Sequence, residues 1–462
     1  MLTPWLNGSM IDLSDTFGEL EGAARDSTDA RVVGHTGRVL AKDRVSAPTR
    51  RKVLMLGAAG GVGRATLALL AGHPLGRALL PATSELLLLD SAPARDPMPM
   101  PGCARWLPAQ NLEHKQDLAR LLREHRPDEV IELASVGTRD CMSACAEAGA
   151  SYLTTAYDDW LAALRVDPNS ARCMLRAQAL FDPPDIEAGV HLLCMGMNPG
   201  LINLLVARGL TELAARSGRP ASLDALDLHT LLFTEIDTTT TSRELEPASE
   251  RFPCTWSPGG CLEELLEPEA MITASGELEV LSHAPHRALY EARCGDELIR
   301  GHLVPHEELV SLGAMYPSVD LAYCYRLPPA SEAALAAAPD RKPAQWQTRR
   351  LYPPDHLGDL GGFNRVGVLL CSHTLGELWI GWQTAVADAL AYSTNATLMQ
   401  VSAGVLAGWH QLRRASPGIY LPEDLDSSPT LGLAEQLLGS PHVIWDRHAP
   451  ARSVGARRVD LV

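Results

Sequence analysis

Residues 52 to 63 read Lys-Val-Leu-Met-Leu-Gly-Ala-Ala-Gly-Gly-Val-Gly, an apolar run that passes directly into glycines. Such a run is typical of a parallel strand covered on both faces. Glycines at its end let backbone amides approach a pyrophosphate at the start of the next helix, which Arg64-Ala-Thr-Leu-Ala-Leu-Leu supplies here. The stretch predicts a dinucleotide phosphate cradle with contacts at Gly57, Gly60, Gly61, Val62 and Gly63.

A second apolar run, Leu86 to Leu89, ends in Asp90, about 27 residues after Gly63. An acid at this point accepts hydrogen bonds from the adenosine ribose hydroxyls and repels a 2′-phosphate, so the sequence favours NAD over NADP. The alternative is a tight strand-to-helix turn without a ligand, and the order of strand, glycines, helix, strand and acid argues against it. The spacing Gly-x-x-Gly-x-x-Gly leaves open which amide meets which phosphate.

Composition bounds the class of protein. The chain has 462 residues, of which 46% are hydrophobic, which suits two domains or one large domain with an insertion. Its formal charge of −16 argues against nucleic acid and is compatible with cationic substrates. Without an apolar run of about 18 residues or a signal peptide pattern, we expect no membrane span and a cytoplasmic location. The ten cysteines show no Cys-x-x-Cys pair, so we expect reduced thiols and no metal.

Helix and strand patterns alternate as far as Gly200 and then give way to irregular strands separated by proline and glycine. This predicts an α/β fold, a Rossmann-type doubly wound parallel sheet followed by an α+β substrate domain on a mixed sheet. The expected units are a polar extension over 1–50, an NAD-binding domain over 51–200, a substrate domain over 201–384 and a helical return over 385–462 that packs on the first domain. We also expect a loop over 93–108, a helix over 171–180 and one long helix over 385–410.

Polar residues that directly follow strands are the candidates for chemistry, because ligands of open parallel sheets bind at the carboxyl ends of the strands. Four such places are Tyr157-Asp158-Asp159-Trp160, Asn198-Pro199-Gly200, Thr234-Glu235-Ile236-Asp237, and Cys254-Thr255-Trp256-Ser257 ahead of Glu263 and Glu264. Each has a structural alternative: Asp158 and Asp159 as helix caps, Asn198 in a turn without a ligand, Trp256 as a core aromatic, and the glutamates as solvated side chains.

Read in order, the chain resembles bacterial homospermidine synthase, within the saccharopine-dehydrogenase-like group. The resemblance runs from about residue 52 to 447 and rests on these stretches: Tyr152-Leu-Thr-Thr-Ala-Tyr-Asp-Asp-Trp, Cys194-Met-Gly-Met-Asn-Pro-Gly, Glu235-Ile-Asp-Thr, Thr255-Trp-Ser with Glu264, Leu303-Val-Pro-His306, Gly367-Val-Leu-Leu, and Asn395-Ala-Thr-Leu-Met-Gln-Val-Ser-Ala-Gly-Val-Leu-Ala-Gly. It implies a homodimer and a bound NAD that oxidises a primary amine, after which a second amine adds to the imine and the Schiff base is reduced, with no net redox change.

The resemblance also implies roles for individual residues. Trp256 would lie against the cationic carbon–nitrogen centre, and Glu235 and Glu264 would bind ammonium groups or relay protons. The remaining implied residues are Asp158, which replaces a glutamate of the family, Asn198 beside the nicotinamide or the amine, His306 as a proton relay, and Ser135, Thr155 and Pro199 as further cofactor contacts.

Departures from the family bear on the substrate. Asn364 and Arg365 stand where the family has an aspartate, the segment around Gly137 lacks another acid, and Arg326 follows Tyr323-Cys-Tyr325 as a new cation. We therefore hypothesise that one substrate carries a carboxylate or a neutral group held by Arg326 or Arg365. The expected substrate contacts are Asn364, Arg365, Tyr323 and Arg326.

Two other functions stay open at this point. A saccharopine or carboxyspermidine dehydrogenase-like reductase would join an amine to an oxo compound with net use of reduced cofactor. A protein that has kept the fold without its chemistry would bind NAD and convert no amine. The joint presence of Glu235, Trp256 and Glu264 argues against this last interpretation.

Overall fold

A computed structural model describes residues 50–92, 98–112, 114–157, 186, 188–242, 251–267, 269–351 and 358–459. The predicted helix over 171–180 and Asp158 lie outside these residues. Two large β-sheets organise the described chain. None of the described helices is long and apolar enough to cross a membrane.

The first sheet is wholly parallel and has the order β19-β6-β5-β4-β1-β2-β3. Its amino-terminal part consists of β1 (Arg51–Leu56), α1 (Gly61–Gly72), α2 (Pro74–Leu79), β2 (Thr83–Leu89), β3 (Ala104–Trp106), α3 (Lys115–His125), β4 (Glu129–Glu132), α4 (Thr138–Ala148), β5 (Ser151–Thr154), β6 (Val190–Leu192) and α5 (Leu201–Ser217). The loop expected over 93–108 is corrected in part, because β3 pairs with β2 at the sheet edge.

The second sheet is mixed, as predicted, with the order β20-β18-β17-β7-β14-β13-β12-β21. The chain from β7 to β18 comprises β7 (Leu228–Asp237), β8 (Thr240–Thr241), β9 (Arg251–Cys254), α6 (Pro258–Leu265), β10 (Met271–Ala274), β11 (Glu277–Val280), β12 (Leu289–Cys294), β13 (Glu297–Leu303), α7 (Glu308–Met315), β14 (Asp320–Arg326), α8 (Pro329–Ala337), β15 (Gln347–Arg350), β16 (Leu360–Gly361), β17 (Phe363–Ser372) and β18 (Gly376–Ala385). β10 joins the mixed sheet through β14, whereas β15 with β9 and β16 with β8 form two separate two-stranded sheets. β14 runs parallel to β7, whereas β17 is antiparallel to it.

The segment after Ala385 contributes to both sheets. It comprises α9 (Val386–Leu390), α10 (Ala396–Leu412), β19 (Gly418–Tyr420), α11 (Ser427–Leu438), β20 (His442–Asp446) and β21 (Arg458–Val459). β19 extends the parallel sheet, whereas β20 and β21 pair with strands of the mixed sheet. The sequence analysis expected this segment to pack on the first domain and did not foresee its pairing with the mixed sheet. The boundaries at 50, 200 and 384 stay a prediction.

The helix expected over 385–410 is two helices, which is a correction. Asn395 begins the second one, because its side chain accepts a hydrogen bond from the amide of Leu398 at 2.9 Å and caps α10. α10 is buried on nearly every side, and Ser402 accepts a hydrogen bond from Thr66 of α1 at 3.1 Å. Residues of α5 and α10 belong to an apolar core that includes strands of both sheets, so the two sheets share one interior.

Candidate active site

Glu235 of β7 lies at the centre of a buried polar cluster and is 5% exposed. Its carboxylate accepts hydrogen bonds from Asn198 Nδ2 at 2.8 Å, Tyr323 Oη at 2.7 Å and Asn364 Nδ2 at 2.7 Å. Asn198 also contacts the Tyr323 hydroxyl. Burial raises the pKa of Glu235, and the hydrogen bonds from Asn364 and Tyr323 oppose that shift. The structure thus brings together four residues that the sequence singled out.

Strand register explains the convergence. Tyr323 of β14 pairs with Phe233, and Asn364 of β17 pairs with Asp237, so both side chains project to the same face as Glu235. Asn198 reaches that face from the turn after β6 in the parallel sheet. The cluster therefore joins the carboxyl edge of one sheet to one face of the other.

Asp237 is a second buried acid, which the sequence analysis included in a candidate stretch but gave no role. Its carboxylate accepts hydrogen bonds from Thr255 Oγ1 at 2.6 Å, Thr397 Oγ1 at 3.3 Å and the amide of Thr239 at 2.8 Å. Burial raises its pKa, while Thr239 and Thr255 favour the ionised form. The available signal was its position two residues after Glu235, because such residues share a strand face.

His306 brings a base next to the same cluster. Its ring stacks on Tyr323 with centroids 4.5 Å apart, and Nδ1 contacts Glu308 and lies 3.6 Å from Glu307 Oε2. Burial alone lowers the pKa of His306, but Glu308 and Glu307 outweigh it and raise that pKa to about 10. Sequence reasoning missed both glutamates, which directly follow His306 in the chain.

Ligand atoms of His306, Glu307 and Glu308 lie within 4.8 Å of one another, a spacing that also suits a metal ion. The sequence predicted no metal. That expectation stays a prediction.

Trp256 and Glu264 come from the segment that leads into and forms α6. Trp256 precedes α6 and packs against the apolar cluster of Ala65 and Leu398, which Val62 of the glycine turn also contacts. Glu264 lies on α6, and its pKa is raised to about 8 by burial, with His306 opposing the shift and Glu307, Glu235 and Glu308 adding to it. Ser257 caps α6 by accepting a hydrogen bond from Gly260 at 3.3 Å.

The glycine turn has the close contacts that a phosphate cradle needs. Gly57 has a φ of +73°, and a Cβ there would lie 2.6 Å from the carbonyl carbon of Leu133. A Cβ on Gly63 would lie 2.5 Å from the oxygen of Gly57. Gly61, Val62 and Gly63 form the first turn of α1, whose free amides favour an anion. The turn thus excludes larger side chains.

Asp90 follows β2 and is tied to the same turn. Its Oδ2 accepts a hydrogen bond from the amide of Ala59 at 2.9 Å, and its Oδ1 accepts one from Ala92 at 3.3 Å. The carboxylate therefore stands beside the cradle, where its remaining lone pairs suit ribose hydroxyls. Ser135, Thr155 and Pro199 follow β4, β5 and β6, at the same carboxyl edge of the sheet.

Arg365 and Arg326 pair with residues outside this cluster, and their role as substrate contacts stays a prediction. Both residues pair with Ile236, which directly follows Glu235 on β7, so they project to the opposite sheet face. Arg365 pairs with Asp296 at 2.9 Å and donates to Gln383, and Arg326 pairs with Glu297 at 3.0 Å. Their charges are compensated there.

Comparisons with known proteins agree with this architecture. Residues 53–179 match the family described as "Saccharopine dehydrogenase NADP binding domain". The homospermidine synthase of Blastochloris viridis is 26% identical over 353 residues, which cover 65% of this chain and 72% of that protein.

A solved homospermidine synthase of Legionella pneumophila, in complex with NAD, superposes with a TM-score of 0.72 at 19% identity, covering 86% of this chain and 92% of that one. It shows the shared fold. The chain is thus similar to homospermidine synthase in sequence and in fold, and its residues 53–179 are similar to the saccharopine dehydrogenase NADP binding domain.

Proposed function

We propose that this protein is an NAD-dependent enzyme that joins two amines into a secondary amine, in the manner of homospermidine synthase. The observation that carries the proposal is the hydrogen bond from Asn198 to Glu235, because it joins the cofactor edge of the parallel sheet to the buried acids of the mixed sheet. A reaction that moves hydride to and from a cationic amine needs this adjacency.

The cofactor is NAD in this proposal. The glycine turn and the free amides of α1 fit a pyrophosphate, Asp90 disfavours a 2′-phosphate, and Ser135, Thr155 and Pro199 stand where the nicotinamide half would lie. NAD held by these residues would supply reversible hydride transfer at a carbon next to nitrogen.

The residues of the chain perform the remaining tasks. Glu235 and Asp237 hold ammonium groups, because buried carboxylates with raised pKa values gain from a cationic partner. Glu264 exchanges a proton with the amine near neutral pH, since its pKa is about 8. His306 supplies a further proton site, and Trp256 provides an aromatic face beside the glycine turn that stabilises an iminium.

Overall, two primary amines give one secondary amine and one ammonia, and the cofactor ends in its starting redox state. Asn364 bears on which amines are used. It is fully buried, and its Oδ1 has no hydrogen-bond partner among the described residues. The uncharged oxygen of Asn364 suits an N–H or O–H donor. We therefore propose that one substrate is a diamine and that the other is an amine whose far end carries less positive charge.

The test is product analysis with purified protein. Amine pairs with only catalytic amounts of NAD should give a secondary amine and ammonia without net change of NADH. Net oxidation of added NADH with an amine and an oxo acid would instead support the reductase, and NAD binding without any conversion would support a protein that has lost its chemistry. Efficient homospermidine formation from putrescine alone would overturn the proposal that the two amine substrates differ.

Two variants sharpen this test. Glu235→Gln keeps the shape of the side chain and removes its charge, and we expect a loss of at least about a hundredfold in kcat/KM. Glu212→Gln on the outer face of α5 is the matched control, because Glu212 pairs with Arg208 and Arg216 at the surface. We also propose a homodimer, as in the family, which light scattering can measure.

A further inference from the structure

A buried hydrogen-bond chain connects the C-terminal segment to the Asn198 turn. Glu423 lies in the short helical turn after β19, and its Oε2 accepts a hydrogen bond from Asn203 Nδ2 at 3.0 Å. Asn203 is 3% exposed, and its Oδ1 accepts a hydrogen bond from the amide of Gly200 at 3.0 Å. Gly200 ends the turn that carries Asn198.

The turn itself leaves little room for adjustment. The amide of Gly196 donates to the oxygen of Pro199 at 2.9 Å, and the amide of Leu201 donates to the oxygen of Gly196 at 3.0 Å. A Cβ on Gly200 would lie 2.0 Å from the Gly196 oxygen, and one on Gly404 of α10 would lie 1.9 Å from it. The direction of Asn198 therefore depends on how this turn is held.

We propose that Glu423 is a positioning residue that aims Asn198 at Glu235 by holding Asn203. The amide group of Asn203 is buried and needs an acceptor, and a carboxylate is a strong one. Once Nδ2 of Asn203 is held, its Oδ1 faces the Gly200 amide and closes the turn. This inference rests on the proposed function for its catalytic consequence, although its structural part does not.

The substitution Glu423→Ala leaves Asn203 without its acceptor. We expect kcat for the amine reaction to fall by about tenfold to a hundredfold, because small displacements of positioning groups have effects of this size. The dissociation constant for NAD should change by a smaller factor than kcat, since the glycine turn that would hold the pyrophosphate is untouched. Glu423→Gln should restore most of the activity, because its carboxamide oxygen accepts the same hydrogen bond.

Double variants separate positioning from general destabilisation. Glu423→Ala and Asn203→Ala act in series in this proposal, so the double variant should be no slower than the slower single variant. In an Asn198→Ala background, Glu423→Ala should have no further effect on kcat. Glu212→Ala, on the outer face of the same helix as Asn203, is the control for loss of helix stability.

Hydrogen–deuterium exchange gives a readout independent of turnover. Exchange of the peptide spanning residues 196–203 should speed up in Glu423→Ala and return to the wild-type rate in Glu423→Gln. Unchanged exchange, or effects of Glu423→Ala and Asn198→Ala that multiply, would overturn the inference. If the wild-type protein converts no amine, the proposed function fails while the exchange result still decides whether Glu423 holds the turn.

Discussion

Asn364 donates its side-chain amide to Oε1 of Glu235 at 2.7 Å, across the antiparallel pair of β17 and β7. Its amide group also reaches Thr397 Oγ1 at 3.3 Å. Because a carboxylate cannot donate, the nitrogen of Asn364 must face Glu235. A neutral donor thus satisfies one oxygen of the central acid without neutralising its charge.

Replacing Asn364 with aspartate should favour plain diamines. Asn364→Asp removes this donor and puts a second buried carboxylate beside Glu235, so the pair gains more from a bound ammonium. We expect kcat/KM for putrescine to rise by about tenfold, as a shift of about 1.4 kcal/mol would give. Steady-state kinetics with Asn364→Ala as control tests this, and equal losses in both variants would contradict it.

Binding of an amine should release a proton from Glu264. Its pKa of about 8 leaves most of it protonated at pH 7, and a bound ammonium favours the ionised form. Amine affinity should therefore rise between pH 6 and 8. Calorimetry in buffers of different ionisation enthalpy measures the released proton, which Glu264→Gln should abolish. The same proton release in Glu264→Gln would show that another group is responsible.

His306 should make the folded state less stable at alkaline pH. With its pKa raised to about 10, the folded protein keeps a proton between the ordinary value of 6.5 and 10 that the unfolded chain has lost. This stabilisation is complete below pH 6.5 and disappears as the pH rises to 10, with a slope of at most about 1.4 kcal/mol per pH unit.

Urea denaturation between pH 8 and 10 checks this expectation. We choose this range because Glu264, with a pKa of about 8, changes the unfolding free energy mainly below pH 8. His306→Gln should flatten the decline of the unfolding free energy with pH. His448→Gln at an exposed position is the control. An unchanged slope in His306→Gln would be inconsistent with a buried imidazolium.

Removing the aromatic face of Trp256 should slow the chemical step. Trp256→Leu keeps apolar contact with the cluster of Ala65 and Leu398 but no longer offers a ring to an iminium, a contribution of about 0.5 to 2 kcal/mol. We expect kcat to fall by about 2- to 30-fold, with Trp256→Phe intermediate. Single-turnover kinetics measure this step, and a change confined to NAD affinity would assign the indole to the cofactor instead.

A methyl group on Gly63 should weaken NAD binding. Its Cβ would lie 2.5 Å from the Gly57 oxygen, so Gly63→Ala must move the turn. We expect at least about a tenfold rise in the dissociation constant for NAD, the size of one lost hydrogen bond. Gly102→Ala is the matched control, because a Cβ there meets nothing within 4 Å. Fluorescence titration compares the two, and equal affinities would contradict a phosphate cradle at this turn.

Local patterns in the sequence were sufficient to predict the start of the parallel sheet. The apolar run into Gly57 and the acid at Asp90 predicted a strand, turn and second strand that the structure contains. The same holds for Glu235, whose place at the end of a buried strand marked it as a candidate. These features depend on neighbouring residues, so periodicity and turn chemistry reveal them.

Contacts between distant segments followed only from the tertiary structure. Arg365 directly follows Asn364, yet the pleat turns it away from Glu235 into an ion pair with Asp296. Glu423 and Asn203 meet although 220 residues separate them in the chain.

The sequence by itself determined the strands, the glycine turn and the acidic character of the site. Strand register and the packing of α5 and α10 between the sheets decided which side chains meet in the polar cluster around Glu235. The physical reason is that the face a residue occupies depends on its pairing partner, and that partner lies far away in the chain.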